Sequence, residues 1–223
     1  MTAGEYEAPD ASGAVGRFLD TNEIFSIGHS THESGDFITL LKQARVHLLV
    51  DIRRHPGSRR VPWTGSGRLE ELLTDSSIGY LHLPDLGGRR RPVTASVNGG
   101  WRNAQFQGYA DHMATPEFAA GLDQLEPKAR YQPVAMMCAE AQWWRCHRRL
   151  VSDALVVGGW RVLHIDSRGA QHEHALTDFA VVDHDGLTYP SEDRGKNSRR
   201  TDADLVMKRT RHTPGRNALG AEA

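Results

Sequence analysis

The sequence predicts an α/β domain: a mainly parallel sheet of about five strands, flanked by helices. Three observations carry that prediction. Apolar runs at residues 24–27, 48–50, 80–83, 134–137 and 161–165 have strand length and lack the alternation of a half-exposed strand. Between them, apolar residues return at helical spacing. The balance of 39% apolar to 25% charged residues over 223 positions is ordinary globular usage.

Residues 1–22 are rich in Gly, Ala and acidic side chains without a period, and are expected to form a flexible leader. They show neither the basic nor the apolar region of a secretory signal. The first strand stops at Gly28-His29-Ser30-Thr31. Phe37, Leu40, Leu41 and Ala44 then mark a helix, with Ser34 available as its cap. The second strand runs into Asp51-Ile52-Arg53-Arg54, and a brief helix at 68–73 precedes the third, which Pro84 closes. Residues 85–103 are rich in glycine and arginine and have no period, predicting a long loop of functional length. Helices follow at 106–113 and 116–125, the second with Thr115 as N-cap before Pro116. After the fourth strand, residues 145–157 read as an amphipathic helix ended by Gly158-Gly159. Beyond the fifth strand a weaker pair is expected at 179–182 and 187–189, joined by His184-Asp185-Gly186. Residues 191–223 are poor in apolar side chains and predict a disordered tail, leaving 23–190 as the domain.

A net charge of −1 exerts no global pull on nucleic acid or anionic lipid. The charge is nevertheless uneven. Arg53, Arg54, His55, Arg59, Arg60 and Arg68 share one short span, and Arg89, Arg90 and Arg91 form a second run. Such patches point to a sited anion rather than to general stickiness. No stretch approaches the roughly 18 apolar residues of a membrane span, so no membrane partner is expected. Two cysteines, Cys138 and Cys146, make no disulfide framework, and the expected address is a reducing one, the cytoplasm.

In parallel sheets, ligands bind outside the carboxyl ends of the strands. The unusual residues stand there: Gly28-His29-Ser30, Asp51 to Arg54, and Cys138-Ala139-Glu140. The expected reacting groups are Cys138, Glu140, His29 and Asp51; the expected anion ligands are Arg53, Arg54, Arg148 and Ser30. Cys138, between a strand end and a helix start carrying arginines, is either a stabilised thiolate or the last packed residue of its strand. Cys146 shares an apolar stripe with Leu150, Ala154 and Val157 and is expected to be packed. Glu140 is a general acid or base if partly buried, and His29 is either an acid–base group or a hydrogen-bonded core histidine. Arg53 with Asp51 is either an anion clamp or a pair that pins the loop. No metal is expected. Cys138, Cys146, His147 and His29 lack paired CxxC spacing, and Cys146 and His147 are neighbours on one predicted helix. The Gly87 to Pro92 run lacks the GK[ST] ending of a Walker loop, and Arg90 and Arg91 are expected to be solvated.

Several segments carry a resemblance. They are Ser26-Ile27-Gly28-His29-Ser30; Val50-Asp51-Ile52-Arg53 with Pro56; Tyr80-Leu81-His82-Leu83-Pro84 with Leu86-Gly87-Gly88; and Tyr109-Ala110 with Thr115-Pro116-Glu117-Phe118. The most specific is Cys138-Ala139-Glu140 with Cys146-His147-Arg148. Over about residues 24–189 the chain resembles the bacterial and archaeal family catalogued as domain of unknown function 488. The resemblance implies an α/β domain with one shared site at these positions; it implies no reaction, cofactor or oligomeric state. Trp143 and Trp144 depart from it, standing where polar residues are expected. The leading expectation is an enzyme acting on a phosphate-bearing substrate, a nucleotide or nucleic acid. Its rivals are a non-catalytic nucleic-acid-binding module, in which Trp101, Trp143 or Trp144 stacks on bases, and a thiol or metal sensor built on Cys138 and Cys146.

Overall fold

Five parallel strands carry the apolar runs: β1 (Glu23–Gly28), β2 (Leu48–Asp51), β3 (Gly79–His82), β4 (Val134–Cys138) and β5 (Arg161–Ile165). The computed structural model describes residues 22–184 and 186–191. A sixth strand, β6 (Gln171–Glu173), joins the β5 edge antiparallel, giving the order β3-β2-β4-β1-β5-β6. β6 consists of exposed polar residues, so no hydrophobic pattern announced it. A separate hairpin, β7 (Val181–Asp183) and β8 (Gly186–Thr188), stands near the expected weaker pair. The leader and tail expectations fall almost wholly outside the described residues. Among the described residues no helix is long and apolar enough to cross a membrane.

Both faces of the sheet are covered, which explains the unbroken apolar runs. Ile24, Val50, Met136 and Val162 pack on one face beneath α3 (Ala104–Met113), α4 (Pro116–Tyr131) and α5 (Arg148–Val157). Phe25, Leu49, Met137 and Leu163 pack on the other beneath α1 (Ser34–Gln43) and α2 (Ser66–Thr74). Connections leaving β1 and β2 therefore run over one face and the connection leaving β4 over the other. The chain reverses around the carboxyl end of β4, between β1 and β2. That is where open α/β sheets form a crevice.

Several element boundaries differ from expectation for local reasons. Ser34 is the first residue of α1, and Glu33 occupies the cap position without a side-chain bond. Asn103 caps α3 by accepting from the Gln105 N–H, so that helix starts at 104. Thr115 caps α4 as expected, but α4 continues through Pro127 to Tyr131. Ala129 is buried in the core, and the Arg130 guanidinium lies 5.2 Å from the Trp160 ring, so packing holds the turn that proline weakens. The predicted 145–157 helix is two elements: a 3-10 turn at Trp143–Arg145, then α5 from Arg148. The 85–103 segment opens with a 3-10 turn at Pro84–Leu86 and is otherwise irregular. Asp111 pins it by accepting from Val93 N, Ser96 Oγ and Asn98 Nδ2.

Candidate functional site

Backbone hydrogen bonds carry the sheet beyond its strands and build a fixed floor. His29 N donates to Cys138 O at 3.0 Å, Ser30 N to Ala139 O at 2.9 Å, and Ile52 N to Met137 O at 3.0 Å. The 139–141 loop crosses directly over β1, because a Cβ on Gly28 would lie 1.9 Å from Glu140 O. Arg148 braces this loop from below. Its Nη1 donates to Ser26 Oγ at 3.1 Å, and its Nη2 donates to the carbonyls of Glu140 and Ala141. Only 1% exposed, Arg148 is a buried support of the loop and lines neither of the two cavities described below.

Asp51 and Arg53 form a buried pair that pins the loop, and Arg53 also lines the cavity described below. The fully buried Asp51 carboxylate accepts from Arg53 Nε at 2.8 Å, Arg53 Nη2 at 2.6 Å and Tyr80 Oη at 3.0 Å. Arg53 Nη2 also donates to Thr64 O at 2.8 Å, which fastens the loop after β2. These bonds occupy one side of the guanidinium, and Arg53 reaches the cavity only with what remains.

His29 is a hydrogen-bonded core histidine. Its Nδ1 lies 3.0 Å from Ser30 O, an acceptor, so Nδ1 carries the hydrogen and Nε2 faces Arg53 Nη1 at 3.3 Å. Burial, and then the Arg53 charge, lower its pKa to about 4. At neutral pH the ring is uncharged.

Two thiols and an imidazole form a trio. His147 Nδ1 lies 3.7 Å from Cys138 Sγ and 3.6 Å from Cys146 Sγ, and its Nε2 lies 3.1 Å from Ile52 O. The three potential ligand atoms lie within 4.8 Å of one another. Cys146 precedes α5 in an extended conformation (φ −122, ψ 152), so it is not on the expected helical stripe. The backbone bends from extended at Cys146 to helical at His147 (φ −57, ψ −17), and at that bend both side chains reach Cys138, which removes the helical-spacing objection to a shared metal. Both thiols are free and buried.

The expectation of a low-pKa Cys138 meets the opposite direction. Its hydrogen bond with Cys146, together with burial, pushes the Cys138 thiol well up. Burial would raise Cys146 too, but the Cys138 hydrogen bond, His147 and Arg148 outweigh it and pull Cys146 well down.

This trio floors a cavity of about 240 Å³. Arg54, Arg89 and Arg145 stand exposed in its wall with Glu140, and no ion pair among the described residues engages those three arginines. An adjoining cavity holds His29 and Ser30 and shares Ala139, Glu140 and Arg145 with the first. The expected residues thus separate. Cys138, Glu140, Arg53 and Arg54 line one cavity; His29, Ser30 and Glu140 line its neighbour; Asp51 and Arg148 line neither.

Sequence reasoning did not assign Arg89, Arg145 or His147 to the site. The basic run and the Cys146-His147-Arg148 string were the available signals. Arg90 folds back instead, its Nε donating to Gly87 O at 3.0 Å. Two of the three tryptophans expected to stack on bases are otherwise engaged. Trp143 lies flat on His164 at 4.2 Å, and Trp101 packs among Phe106, Phe179 and Tyr189. Trp144 alone of the three is about half exposed, at 49%.

Residues 34–155 match the profile of a family described as domain of unknown function DUF488. No curated protein and no solved structure matches the chain.

Proposed function

The chain belongs to the DUF488 family, and we propose that it is an enzyme acting on a phosphate-bearing substrate of nucleotide size. One observation carries this reading: three exposed arginines that form no ion pair among the described residues, Arg54, Arg89 and Arg145, surround a cavity floored by two thiols and an imidazole. Guanidinium groups match phosphate oxygens bidentately, and arginines not engaged in ion pairs keep their donors free for a ligand. The cavity lies at the carboxyl end of β4, where the chain reverses. Glu140, exposed at the rim, is in position to exchange a proton with a bound substrate. Floor chemistry beside bound phosphate favours a reaction over simple capture.

A second reading has its own support. The cavity shares Arg54 and Arg89 with a neighbouring one that holds Arg90 and Arg91, and adjoins another that holds Arg60. A single-stranded nucleic acid would fit such a basic track, with Trp144 available for stacking.

Calorimetry with inorganic phosphate, a nucleoside monophosphate and an oligonucleotide separates the two. The enzyme reading expects Arg54→Ala and Arg145→Ala each to weaken mononucleotide binding at least about tenfold, the effect of one charge-assisted contact. Arg90→Ala with Arg91→Ala should change it little. A steep salt dependence for oligonucleotides, near 0.7 logarithmic units per phosphate contact over many contacts, with no small anion bound, would establish the binding module instead.

A further inference from the structure

We propose that Cys138 Sγ, Cys146 Sγ and His147 Nδ1 are three ligands of a zinc-class divalent cation whose fourth position opens on the arginine-lined cavity. The placement of that open position rests on the proposed reading of the cavity; the ligand set does not.

Distances provide the first argument. Tetrahedral zinc with Zn–S near 2.3 Å and Zn–N near 2.0–2.1 Å requires about 3.5–3.6 Å between sulfur and nitrogen. The two S–N distances are 3.6 and 3.7 Å, so both S–N pairs already match an ion between them. All three atoms lie within 4.8 Å of one another, and the two sulfurs close to the required separation of about 3.8 Å by side-chain rotation.

Tautomer and support provide the second. Ile52 O can only accept, so His147 Nε2 carries the hydrogen and the Nδ1 lone pair points between the sulfurs. Metal-bound histidines commonly have their second nitrogen fixed by a carbonyl in this way. Gly88 backs the ring so closely that a Cβ there would lie 2.8 Å from Nδ1. Tyr109 lies against the ring at 5.2 Å between centroids. The imidazole is thus held in place by groups other than the metal.

Ligand type and number provide the third. Two thiolates and an imidazole select a soft or borderline ion over magnesium or calcium. Among the described residues no fourth Cys, His, Asp or Glu completes the group. Three protein ligands with one open position is the catalytic zinc pattern, whereas structural sites close with four. All three ligands line the cavity, so the open position faces the place where Arg54, Arg89 and Arg145 would bring a phosphate. Two thiolate charges and a dication sum to zero, so a bound anion meets no net repulsion from the centre.

The test uses the full chain, whose only cysteines are these two. After chelation and reduction, one equivalent of cobalt(II) should give thiolate charge-transfer absorption with tetrahedral ligand-field bands, and one equivalent of zinc should displace them. Zinc at one equivalent should also protect both cysteines from alkylation in the native protein. His147→Ala should weaken zinc by more than about 100-fold, beyond the loss typical of outer-shell partners. A folded wild-type chain without thiolate–cobalt absorption, or with alkylation rates unchanged by zinc, would overturn the site whatever the variant does. Phosphate binding is measured in parallel on the chelated protein. Binding retained there, without a metal signal, removes the metal and keeps the cavity reading. A metal signal with phosphate binding indifferent to Arg54→Ala does the reverse.

Discussion

His147 Nε2 and the carbonyl oxygen of Ile52 meet at 3.1 Å across 95 residues of sequence, tying the end of β2 to the loop before α5. This bond sets the orientation of the imidazole over two buried sulfurs. It also makes the surrounding glycines testable, because two of them leave room for different things. A Cβ on Gly28 would strike the backbone of Glu140, at 1.9 Å from its oxygen, whereas a Cβ on Gly88 would strike the ring of His147.

Gly28→Ala should therefore lose at least about 1–3 kcal/mol, the usual cost of overpacking, since a braced backbone cannot yield. Gly88→Ala should melt nearer the wild type while displacing the imidazole, visible as a changed His147 nitrogen shift. Urea denaturation and nitrogen NMR check the contrast. Equal stability losses, with His147 undisturbed, would contradict the placement of the 139–141 loop.

Asp51 and Arg53 differ from Arg54 in the same kind of experiment. Asp51→Ala strands a buried guanidinium and should cost about 3–5 kcal/mol. Arg54→Ala touches an exposed side chain, and its stability should stay within about 0.5 kcal/mol of the wild type. Denaturant midpoints decide. An Asp51→Ala protein as stable as the parent would show that the pair is not the pin described above.

Why the sequence yielded the sheet but only part of the site follows from these same residues. Strands buried on both faces must be apolar throughout, so β1, β2, β4 and β5 were legible. The residues at their ends were legible as well, because Gly28, Asp51 and Cys138 interrupt those runs. What a side chain does there was not. Arg148 and Arg54 look alike in sequence, yet one is buried under the loop and the other lines the cavity, a difference made by tertiary contacts alone. Cys146 was misplaced because Leu150, Ala154 and Val157 extend a plausible helical stripe backwards; the 3-10 turn at Trp143–Arg145 breaks that register. β6 is an edge strand of exposed polar residues and sends no periodic signal.

A buried polar relay in the fold gives a pH-dependent expectation. Arg148 Nη1 donates to Ser26 Oγ, leaving the serine hydroxyl to donate to His164 Nδ1 at 3.0 Å. His164 Nε2 then donates to His174 Nδ1 at 3.0 Å, and His174 Nε2 to Asp153 Oδ1 at 2.8 Å. Tyr189 and Thr177 complete the Asp153 carboxylate at 2.8 and 2.7 Å. Tyr189→Phe removes one of these donors and should cost about 1 kcal/mol. Asp153→Ala leaves His174, Thr177 and Tyr189 without their acceptor and should cost several times more. Matching losses in the two variants would argue against a shared hub.

His164 makes the relay sensitive to acid. Burial, and then the nearby His174, lower its pKa to about 2, while His29 is lowered to about 4. Both lie below the value of about 6.5 expected in the unfolded chain. As pH falls below 6.5 the unfolded state takes up protons that the folded state refuses, so stability declines. Each histidine contributes up to about 1.4 kcal/mol per pH unit, His29 until about pH 4 and His164 to lower pH. Above pH 6.5 neither histidine binds a proton in either state, and their contribution is flat. His112, also lowered by burial, adds to the same effect, so urea unfolding of the wild type should show a slope of at least about two protons near pH 5, and His164→Gln should reduce it by about one. Glu117 and Asp166, whose pKa values are also lowered, act with the same sign but below their ordinary carboxylate range, leaving the pH 5 to 6 interval to the histidines. An identical slope in His164→Gln and wild type would mean that His164 is not held neutral by the relay.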